Sequence, residues 1–322
     1  MSPNPPKLVD QLVEAMRTRH YSPRTEEAYV SWVKRYIRFH KMRHPKDMGA
    51  PEINAFLTHL ATDAKVSAST QNQALSAVLF LYRYVFRLDI GDLGDVVRAR
   101  KSQRVPIVMT RDETRAVLSR MTGDTKLMAS LLYGSGLRLS ECLSLRVQDM
   151  DFDGGQITVF NGKGNKDRVT MLPEGLKEPL RAHLQRARAM HTADLADGCG
   201  RAQVPEALQR KYPGAAVEWR WQWVFPQRHR WKDPVTGEQG RHHVDDSILQ
   251  RAVKDAVRQS GITKRVGCHT FRHSFATHLL VAGYDIRTIQ ELLGHKSVTT
   301  TMIYTHVLNK GGLGVTSPLD SD

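Results

Sequence analysis

The chain has 322 residues, with 40% hydrophobic and 25% charged residues, which is the balance of a globular protein and excludes a disordered one. Lys and Arg number 47 against 33 Asp and Glu, so the net charge of +14 predicts a polyanionic partner, with nucleic acid ahead of an acidic membrane surface. The three cysteines form no CxxC pair, the first residues lack a signal-peptide pattern, and no apolar run approaches the roughly 18–20 residues of a membrane span. We therefore expect a cytoplasmic protein, and neither a secreted nor a membrane-spanning one.

Residues 1–90 predict a helical module, expected to be a DNA-binding domain. Apolar residues recur at helical spacing in four segments, and Ser22-Pro23 marks one helix start because Ser caps a helix and Pro suits its first turn. Residues 91–106 change character, with two glycines followed by four basic residues and Pro106. This pattern predicts a linker that lies along a phosphate backbone, although a merely solvated linker has the same composition.

Residues 107–322 predict a second, larger domain. Thr110 and Glu113 have the spacing of a capping box, which favours a helix start at this point. The segment 151–172 alternates and turns like two strands joined by a glycine-rich hairpin, whereas most other segments have helical periodicity. The predicted fold class is therefore mainly α with a small antiparallel β-sheet. Within the irregular segment 191–240, the alternation of Trp219, Trp221 and Trp223 predicts one face of a strand.

Polar residues near the C-terminus form the strongest chemical pattern. The spacing predicts that His269, Arg272 and His273 lie at the start of a helix, and a further helix ends at Gly294, which places His295 at a corner. Tyr304 follows a run of β-branched residues, so its own helix is predicted to be weak. Guanidinium groups suit the oxygens of a phosphoryl transition state, and tyrosine can form a covalent phosphoester. The pattern therefore favours phosphoryl transfer with a mobile tyrosine nucleophile.

Two further residues are candidates for the same chemistry. Arg138 follows a Gly-Ser-Gly-Leu turn, and Lys163 stands at the glycine-rich hairpin, where a lysine can protonate a leaving oxygen. Taken singly, Arg138 is more typical of a surface residue at a helix start and Lys163 of a hairpin tip. Tyr304 alone is more typical of a packed aromatic residue. His269 and His273 have the i, i+4 spacing of a zinc pair, but no glutamate stands between them in an HExxH pattern. We therefore expect no metal site and regard a zinc hydrolase as an outside alternative.

Together these residues resemble the tyrosine recombinase (phage integrase) family, in the boxes GLRLSE, GKGNKDR, HTFRHSFATHL and LLGHKSVTTTMIYTH. The resemblance implies a two-domain, C-shaped DNA clamp that needs no cofactor and works as a homotetramer on DNA, with residues 305–322 exchanged between protomers. It implies that Arg138 and Arg272 hold the phosphate oxygens. His269 and His295 would donate hydrogen bonds or handle the proton of the Tyr304 nucleophile. Lys163 would act as the general acid, and Glu141 would support the site.

Residues 191–245 add a finer resemblance, to the insertion of integron integrases, which recombine gene cassettes. It implies that the substrates are folded single-stranded hairpin sites as well as duplex sites. Aromatic, proline and imidazole groups beside basic residues suit the stacking of unpaired bases. The candidates for binding an extrahelical base are Trp221, Pro234, His242 and His243. For Trp219 and Trp223 a role in a small aromatic core is at least as well supported.

Three other functions share parts of this pattern. A Xer- or phage-type tyrosine recombinase would act on duplex sites and would not need the 191–245 insertion. A type IB topoisomerase has the same chemistry but no exchanged tail. A catalytically inert DNA-binding protein would not need every reacting residue. The expected location is the bacterial cytoplasm, in association with DNA.

Overall fold

The computed structural model describes residues 7–90, 106–162 and 166–305. The chain divides into two compact units, Met1–Arg104 and Val105–Asp322. The described residues are mostly helical with small sheets, so the predicted fold class is confirmed. The linker predicted at 91–106 falls, except for Pro106, outside the described residues. In the part of the chain that is described, no helix is both long and apolar enough to cross a membrane.

The described part of the first unit contains four α-helices, two of which begin at a serine cap. Ser22 accepts a hydrogen bond from the backbone N–H of Thr25 at 3.3 Å, and Ser67 accepts one from Thr70 at the same distance, as expected for N-caps. The apolar faces meet around the fully buried Tyr36 and Phe56. The helices are α1 (Leu8–Arg17), α2 (Pro23–Phe39), α3 (Ala50–Thr62) and α4 (Ala68–Phe80), and α4 continues as a π-helical segment, Leu81–Phe86.

The second unit packs helices around a small sheet. Its helices are α5 (Arg111–Ser119), α6 (Gly123–Gly134), α7 (Leu139–Leu143), α8 (Glu174–Ala196), α9 (Glu206–Lys211), α10 (Asp246–Gln259), α11 (Cys268–Val281), α12 (Ile286–Leu293) and α13 (Val298–Met302). Helix α5 has the predicted capping box, because Glu113 Oε2 accepts from the N–H of Thr110 at 2.7 Å and Thr110 Oγ1 accepts from the N–H of Glu113 at 3.1 Å. Helix α6 lies in the core, and α10 and α11 pack against it.

The predicted hairpin forms the main sheet. Strands β1 (Met150–Asp151), β2 (Gln156–Gly162) and β3 (Lys166–Met171) pair antiparallel in that order. Ile157 and Val159 of β2 are buried, whereas Phe160 and Val169 face outward and are exposed. The residues between β2 and β3, among them Lys163, lie outside the described part of the chain.

The segment predicted as irregular contains a second three-stranded sheet. Strands β4 (Arg201–Ala202), β5 (Trp231–Lys232) and β6 (Gln239–Arg241) pair in the order β4-β6-β5, with β4 and β6 parallel. Behind this sheet, Asp194 of α8 is a buried carboxylate that accepts hydrogen bonds from Arg230 and Arg241. These ion pairs lie within the segment 191–245 and hold its strands against the end of α8.

The strand predicted at Trp219–Trp223 is wrong. Trp219–Trp221 form a 3₁₀ turn, and only Trp223 pairs in an extended way, with Arg146. A tertiary contact decides this conformation. The backbone N–H of Val147 donates to the Gln222 carbonyl, and the N–H of Val224 donates to the Leu145 carbonyl, so this part of the chain bonds to the segment around Arg146. Trp223 is 8% exposed and its Nε1–H donates to the Arg241 carbonyl at 3.1 Å, so it has the core role that the sequence left open.

Candidate active site

A tight turn after α6 delivers Arg138. Gly136 has φ +64, and a Cβ at this position would lie 2.5 Å from the Phe275 ring, so only glycine fits the turn. Arg138 then caps α7, with its backbone N–H donating to Glu141 Oε2 at 2.7 Å and its Nη1 donating to Oε1 at 2.5 Å. The side chain of Arg138 is 19% exposed, so its guanidinium can still reach a ligand.

Arg272 is the buried cation of the site. It lies on α11, is 4% exposed, and donates at 2.5 Å to the carbonyls of Gly136 and Leu293. Its Nη2 is also 3.2 Å from His295 Nε2. Burial, together with the nearby charge of Arg138, lowers the pKa of Arg272 to about 9, so it still carries its charge at neutral pH. Two guanidinium groups therefore lie close together, an arrangement that attracts an anion.

Glu141 joins these arginines to a third one on the sheet. Arg168 of β3 donates to both carboxylate oxygens, at 2.9 and 2.6 Å, while Arg272 Nη1 lies 3.8 Å from Oε2. Burial opposes the ionisation of Glu141, but the hydrogen bonds and charges of Arg168 and Arg138 outweigh it and lower the pKa to about 2. The predicted supporting residue is thus an ionised carboxylate at the base of the site.

His295 occupies the predicted corner. Gly294 ends α12 with φ +62, and a Cβ there would lie 2.7 Å from the side chain of Arg168. Because Arg272 donates to Nε2 of His295, the ring proton is on Nδ1, which donates to Thr301 Oγ1 at 3.0 Å. Burial and the charge of Arg272 lower the pKa of His295 to about 4, so the ring is neutral at pH 7.

Tyr304 lies inside the same site. It is 1% exposed, and its ring stacks against that of His295 with centroids 6.3 Å apart. Its hydroxyl is 2.9 Å from Nδ1 of His273. Burial raises the pKa of Tyr304, although the charges of Arg272 and Arg138 act in the opposite direction. The tyrosine that the sequence singled out is therefore next to the arginines within one chain.

Of the two remaining predicted catalytic residues, His269 and Lys163, the structure describes only His269. His269 is exposed on the first turn of α11, where partial burial and the charges of Arg272 and Arg138 lower its pKa. Lys163 lies outside the described residues. The structure therefore brings Arg138, Glu141, Arg272, His295 and Tyr304 into contact, with His269 at the rim.

The four predicted base-binding residues have different surroundings. Trp221 is half-buried, with the Arg146 guanidinium 5.8 Å from its ring. His242 faces Trp231 with ring centroids 5.8 Å apart, whereas His243 packs edge-on against Trp223 at 5.3 Å. Pro234 is exposed at a turn that Asp233 stabilises by accepting backbone N–H groups.

A cavity of about 290 Å³ opens beside His242. Trp231 forms part of its wall, and Arg201, Gln203, Gln209 and Glu238 supply polar groups. The indole N–H of Trp231 is buried, and among the described residues it has no hydrogen-bond partner. The cavity thus combines an aromatic wall with polar side chains.

Sequence reasoning missed Arg168, which contacts Glu141, and Trp231, which lines the cavity beside His242, and it left His273 without a role. Arg168 had a detectable signal, because β3 alternates inward and outward and Arg168 is a charge at an inward position beside the buried Thr170. For Trp231 the sequence contains no such signal beyond the abundance of aromatic residues in its segment. Among the residues described, no group of three or more His, Cys, Asp or Glu side chains could hold a metal ion.

Glu141→Gln will test the buried carboxylate. We expect the free energy of unfolding to fall by about 3 kcal/mol at pH 7, because Arg168 would keep a buried charge without its counter-ion. The folded-state pKa of about 2 lies below the unfolded value, so this contribution is present above about pH 4.5 and is lost as the pH falls towards 2. Urea unfolding of both proteins across this range measures the difference.

Glu178→Gln is the matched control, since Glu178 pairs with Arg181 on the surface and its side chain is 79% exposed. This substitution should change stability by less than about 1 kcal/mol. A difference between wild type and Glu141→Gln that stays constant down to about pH 2 would contradict the ionised state assigned to Glu141.

Comparison with known proteins identifies the family. Residues 107–310 match the phage integrase family, and residues 8–92 match the N-terminal SAM-like domain of phage integrases. An "Integrase/recombinase" of Escherichia coli is 53% identical over 99% of this chain and 96% of its own length. The tyrosine recombinase XerA of Thermococcus kodakarensis is 31% identical over 94% of this chain and 92% of its own length.

Solved structures share the fold. A λ integrase fragment bound to a core site has a TM-score of 0.62 at 19% identity, covering 92% of this chain and 93% of that one. XerH in a post-cleavage complex also has a TM-score of 0.62, at 20% identity, covering 92% of this chain and 81% of that one. The family match, the close relatives and the buried arginine–tyrosine site lead to one conclusion. The chain belongs to the phage integrase family and is a tyrosine site-specific recombinase that acts on DNA.

Proposed function

We propose that this recombinase cleaves and rejoins DNA through a 3′-phosphotyrosyl intermediate formed by Tyr304. The phenolic oxygen attacks the scissile phosphorus, the bond from phosphorus to the 5′-oxygen breaks, and Lys163 protonates that oxygen. Because the phosphodiester energy is kept in the new ester, a second 5′-hydroxyl can reverse the step and rejoin the strands. The position of Tyr304 beside Arg272 and His295 supports this assignment.

In this proposal Arg138 and Arg272 bind the nonbridging phosphate oxygens. Fixed guanidinium groups in a buried site stabilise the charge that develops in the transition state without reorganisation. His269 stands at the rim near both arginines and donates a hydrogen bond to the phosphate, while His295 holds Arg272 in place through Nε2. The step uses no metal ion and no nucleotide cofactor.

We further propose that the substrates are integron-type sites, namely duplex integration sites and folded single-stranded hairpins that carry gene cassettes. The observation behind this proposal is the cavity of about 290 Å³ beside Trp231 and His242, which is close to the lower size limit of ligand pockets. An unpaired base can stack on such an aromatic wall and form hydrogen bonds with the polar side chains of Arg201 and Gln203 beside it. Trp221, Pro234 and His243 would contact the nucleotides around that base.

We also propose that the active assembly is a homotetramer on DNA in which residues 305–322 dock on a neighbouring protomer. The exposed apolar residues Met302 and Ile303 support this proposal, because they lie just before residues 305–322 in the chain. The alternative is a Xer- or phage-type recombinase that acts on duplex sites. The relatives named as Xer recombinases, about 30% identical, are compatible with that alternative.

Cleavage of separated strands tests the integron assignment. Each strand of a cassette site would be folded alone and compared with the duplex, and covalent adducts would be counted on a denaturing gel. We expect adducts on one folded strand. His242→Ala should lower cleavage of that strand by about tenfold or more and cleavage of the duplex by far less, because base stacking contributes about 1–3 kcal/mol per base.

Tyr212→Ala is the matched control, since Tyr212 is an exposed aromatic residue of the same insertion that does not line the cavity. Point substitutions are preferable to a deletion of 191–245, because Val224 and Phe225 belong to the main core. Efficient duplex cleavage with no strand preference, and equal effects of His242→Ala on both substrates, would favour the Xer- or phage-type alternative.

A further inference from the structure

The hydroxyl of Tyr304 is bonded to a histidine that the sequence analysis left without a role. Nδ1 of His273 lies 2.9 Å from the phenolic oxygen, and the two rings are tilted by 49° with centroids 5.6 Å apart. His273 is one residue after Arg272 on α11 and is half-buried. The phenolic oxygen of Tyr304, which would attack phosphorus, is therefore within hydrogen-bonding distance of Nδ1 of His273.

The two other histidines of the site are less suited to receive the proton of Tyr304. In His295, Nε2 accepts from Arg272 and Nδ1 donates to Thr301, so neither nitrogen has a free lone pair. His269 is exposed on the first turn of α11, one helical turn before His273. Among the described residues, His273 is thus the histidine in contact with the nucleophile's oxygen.

His273 has the protonation state that an acceptor needs. Burial, with the nearby His269 and Arg272, lowers its pKa to about 4, so the ring is neutral at pH 7. Tyr304 remains protonated, because burial raises its pKa. The phenolic O–H therefore donates to Nδ1, and the ring proton of His273 is on Nε2.

We propose that His273 is the general base that activates Tyr304, an inference that rests on the proposed role of Tyr304 as the nucleophile. As the phenolic oxygen bonds to phosphorus, its proton moves to Nδ1 and the ring becomes an imidazolium. The leaving 5′-oxygen takes a different proton, from the general acid. In the reverse step His273 returns its proton to the phenolic oxygen, so the residue is regenerated.

The chemistry requires such a base. A phenol with a pKa of about 10 is ionised to about 0.1% at pH 7, and a positioned general base contributes about 10²–10⁴-fold in rate. A bound phosphodiester would bring negative charge next to Arg272, which stabilises the imidazolium as it forms. The charged and titratable groups that face His273 are His269 and Arg272 on its own helix, His295 after α12 and Tyr304 after α13.

The test is the pH dependence of single-turnover cleavage on a nicked suicide duplex substrate, with the full-length protein. Asparagine places an amide near the position of Nδ1 and can still accept a hydrogen bond, but it cannot take up a proton. For His273→Asn we expect cleavage at pH 7 to fall by about 10²-fold or more. Its rate should then rise about tenfold per pH unit up to about pH 9, because hydroxide must remove the proton, whereas the wild-type rate should stay level.

Two results would overturn the proposal. If His273→Asn cleaves within about threefold of wild type with the same pH profile, His273 only positions the tyrosine. If the rate of His273→Asn falls equally at every pH, hydroxide does not replace His273, so His273 does not take up the proton of Tyr304. Imidazole added to His273→Ala provides a second readout, since a base can be replaced from solution, and failure to raise the cleavage rate would also count against the proposal.

His278→Asn is the matched control. His278 lies on the same helix and its Nδ1 is 2.8 Å from the hydroxyl of Tyr133, so the variant alters the same kind of bond outside the reaction centre. Its cleavage rate and pH profile should match those of wild type. Tyr304→Phe separates this proposal from the proposed function. An adduct that persists in Tyr304→Phe removes both, whereas its loss together with normal cleavage by His273→Asn removes only the role of His273.

Discussion

Tyr304→Phe will bind its DNA site and form no covalent complex with it. The substitution removes one oxygen atom from a buried ring, so the packing against His295 is retained and the fold is preserved. The hydroxyl of the proposed nucleophile is absent, however, so Tyr304→Phe cannot form a phosphotyrosyl ester. We expect cleavage of a nicked suicide substrate to fall below detection while the affinity measured by gel shift stays within about twofold of wild type.

Tyr133→Phe is the control for this experiment. The Tyr133 hydroxyl is also bonded to a histidine of α11, His278, so the variant loses the same group in similar surroundings. Its cleavage rate should remain at the wild-type level. A covalent adduct formed by Tyr304→Phe would show that another residue attacks the phosphate, and peptide mapping of the adduct would identify it.

Arg272→Lys will retain a positive charge and lose most of the activity. Arg272 bonds to the Gly136 and Leu293 carbonyls and to His295, and a planar guanidinium is needed to reach all three while facing a phosphate. Lysine has a single ammonium group, so we expect cleavage to slow by about 10²–10³-fold, the typical cost of losing a fixed donor to a transition-state oxyanion. Single-turnover rates on the suicide substrate measure the loss.

The same variant should also be less stable, by about 1–3 kcal/mol, because buried carbonyls lose their donors. Arg258→Lys serves as the control, since Arg258 forms a surface pair with Asp255 and its side chain is 78% exposed. It should change neither rate nor stability beyond experimental error. Cleavage by Arg272→Lys within about tenfold of wild type would contradict the proposed role of the Arg272 guanidinium in binding the phosphate.

Local patterns in the sequence were sufficient for much of the fold. The Ser22 cap, the Thr110–Glu113 capping box and the turn at Gly294 depend on a few neighbouring residues, and the structure confirms each of them. The β2–β3 hairpin follows from alternation and a glycine-rich turn. Short-range signals of this kind are readable because the interacting groups lie within a few residues of each other.

The predicted reacting groups could be selected only as a set. Arg138, Arg272, His295 and Tyr304 are each typical of an ordinary position, and their order along the chain distinguished them through a family resemblance. The structure brings these four together through α11 and the corner at Gly294. Their separation in sequence, up to 166 residues between Arg138 and Tyr304, leaves no local pattern that could predict a distance.

Other features were decided by tertiary contacts alone. Arg168 reaches Glu141 from another element, His273 rather than His269 or His295 meets the Tyr304 hydroxyl, and Trp219–Trp221 form a turn although their alternation predicts a strand. In each case the partner lies far along the chain. Composition, periodicity and caps are properties of neighbouring residues, so the sequence by itself determined the helices, the hairpin and the class of chemistry. Burial and long-range hydrogen bonds depend on how those elements pack, and they decided which side chain touches the Tyr304 hydroxyl.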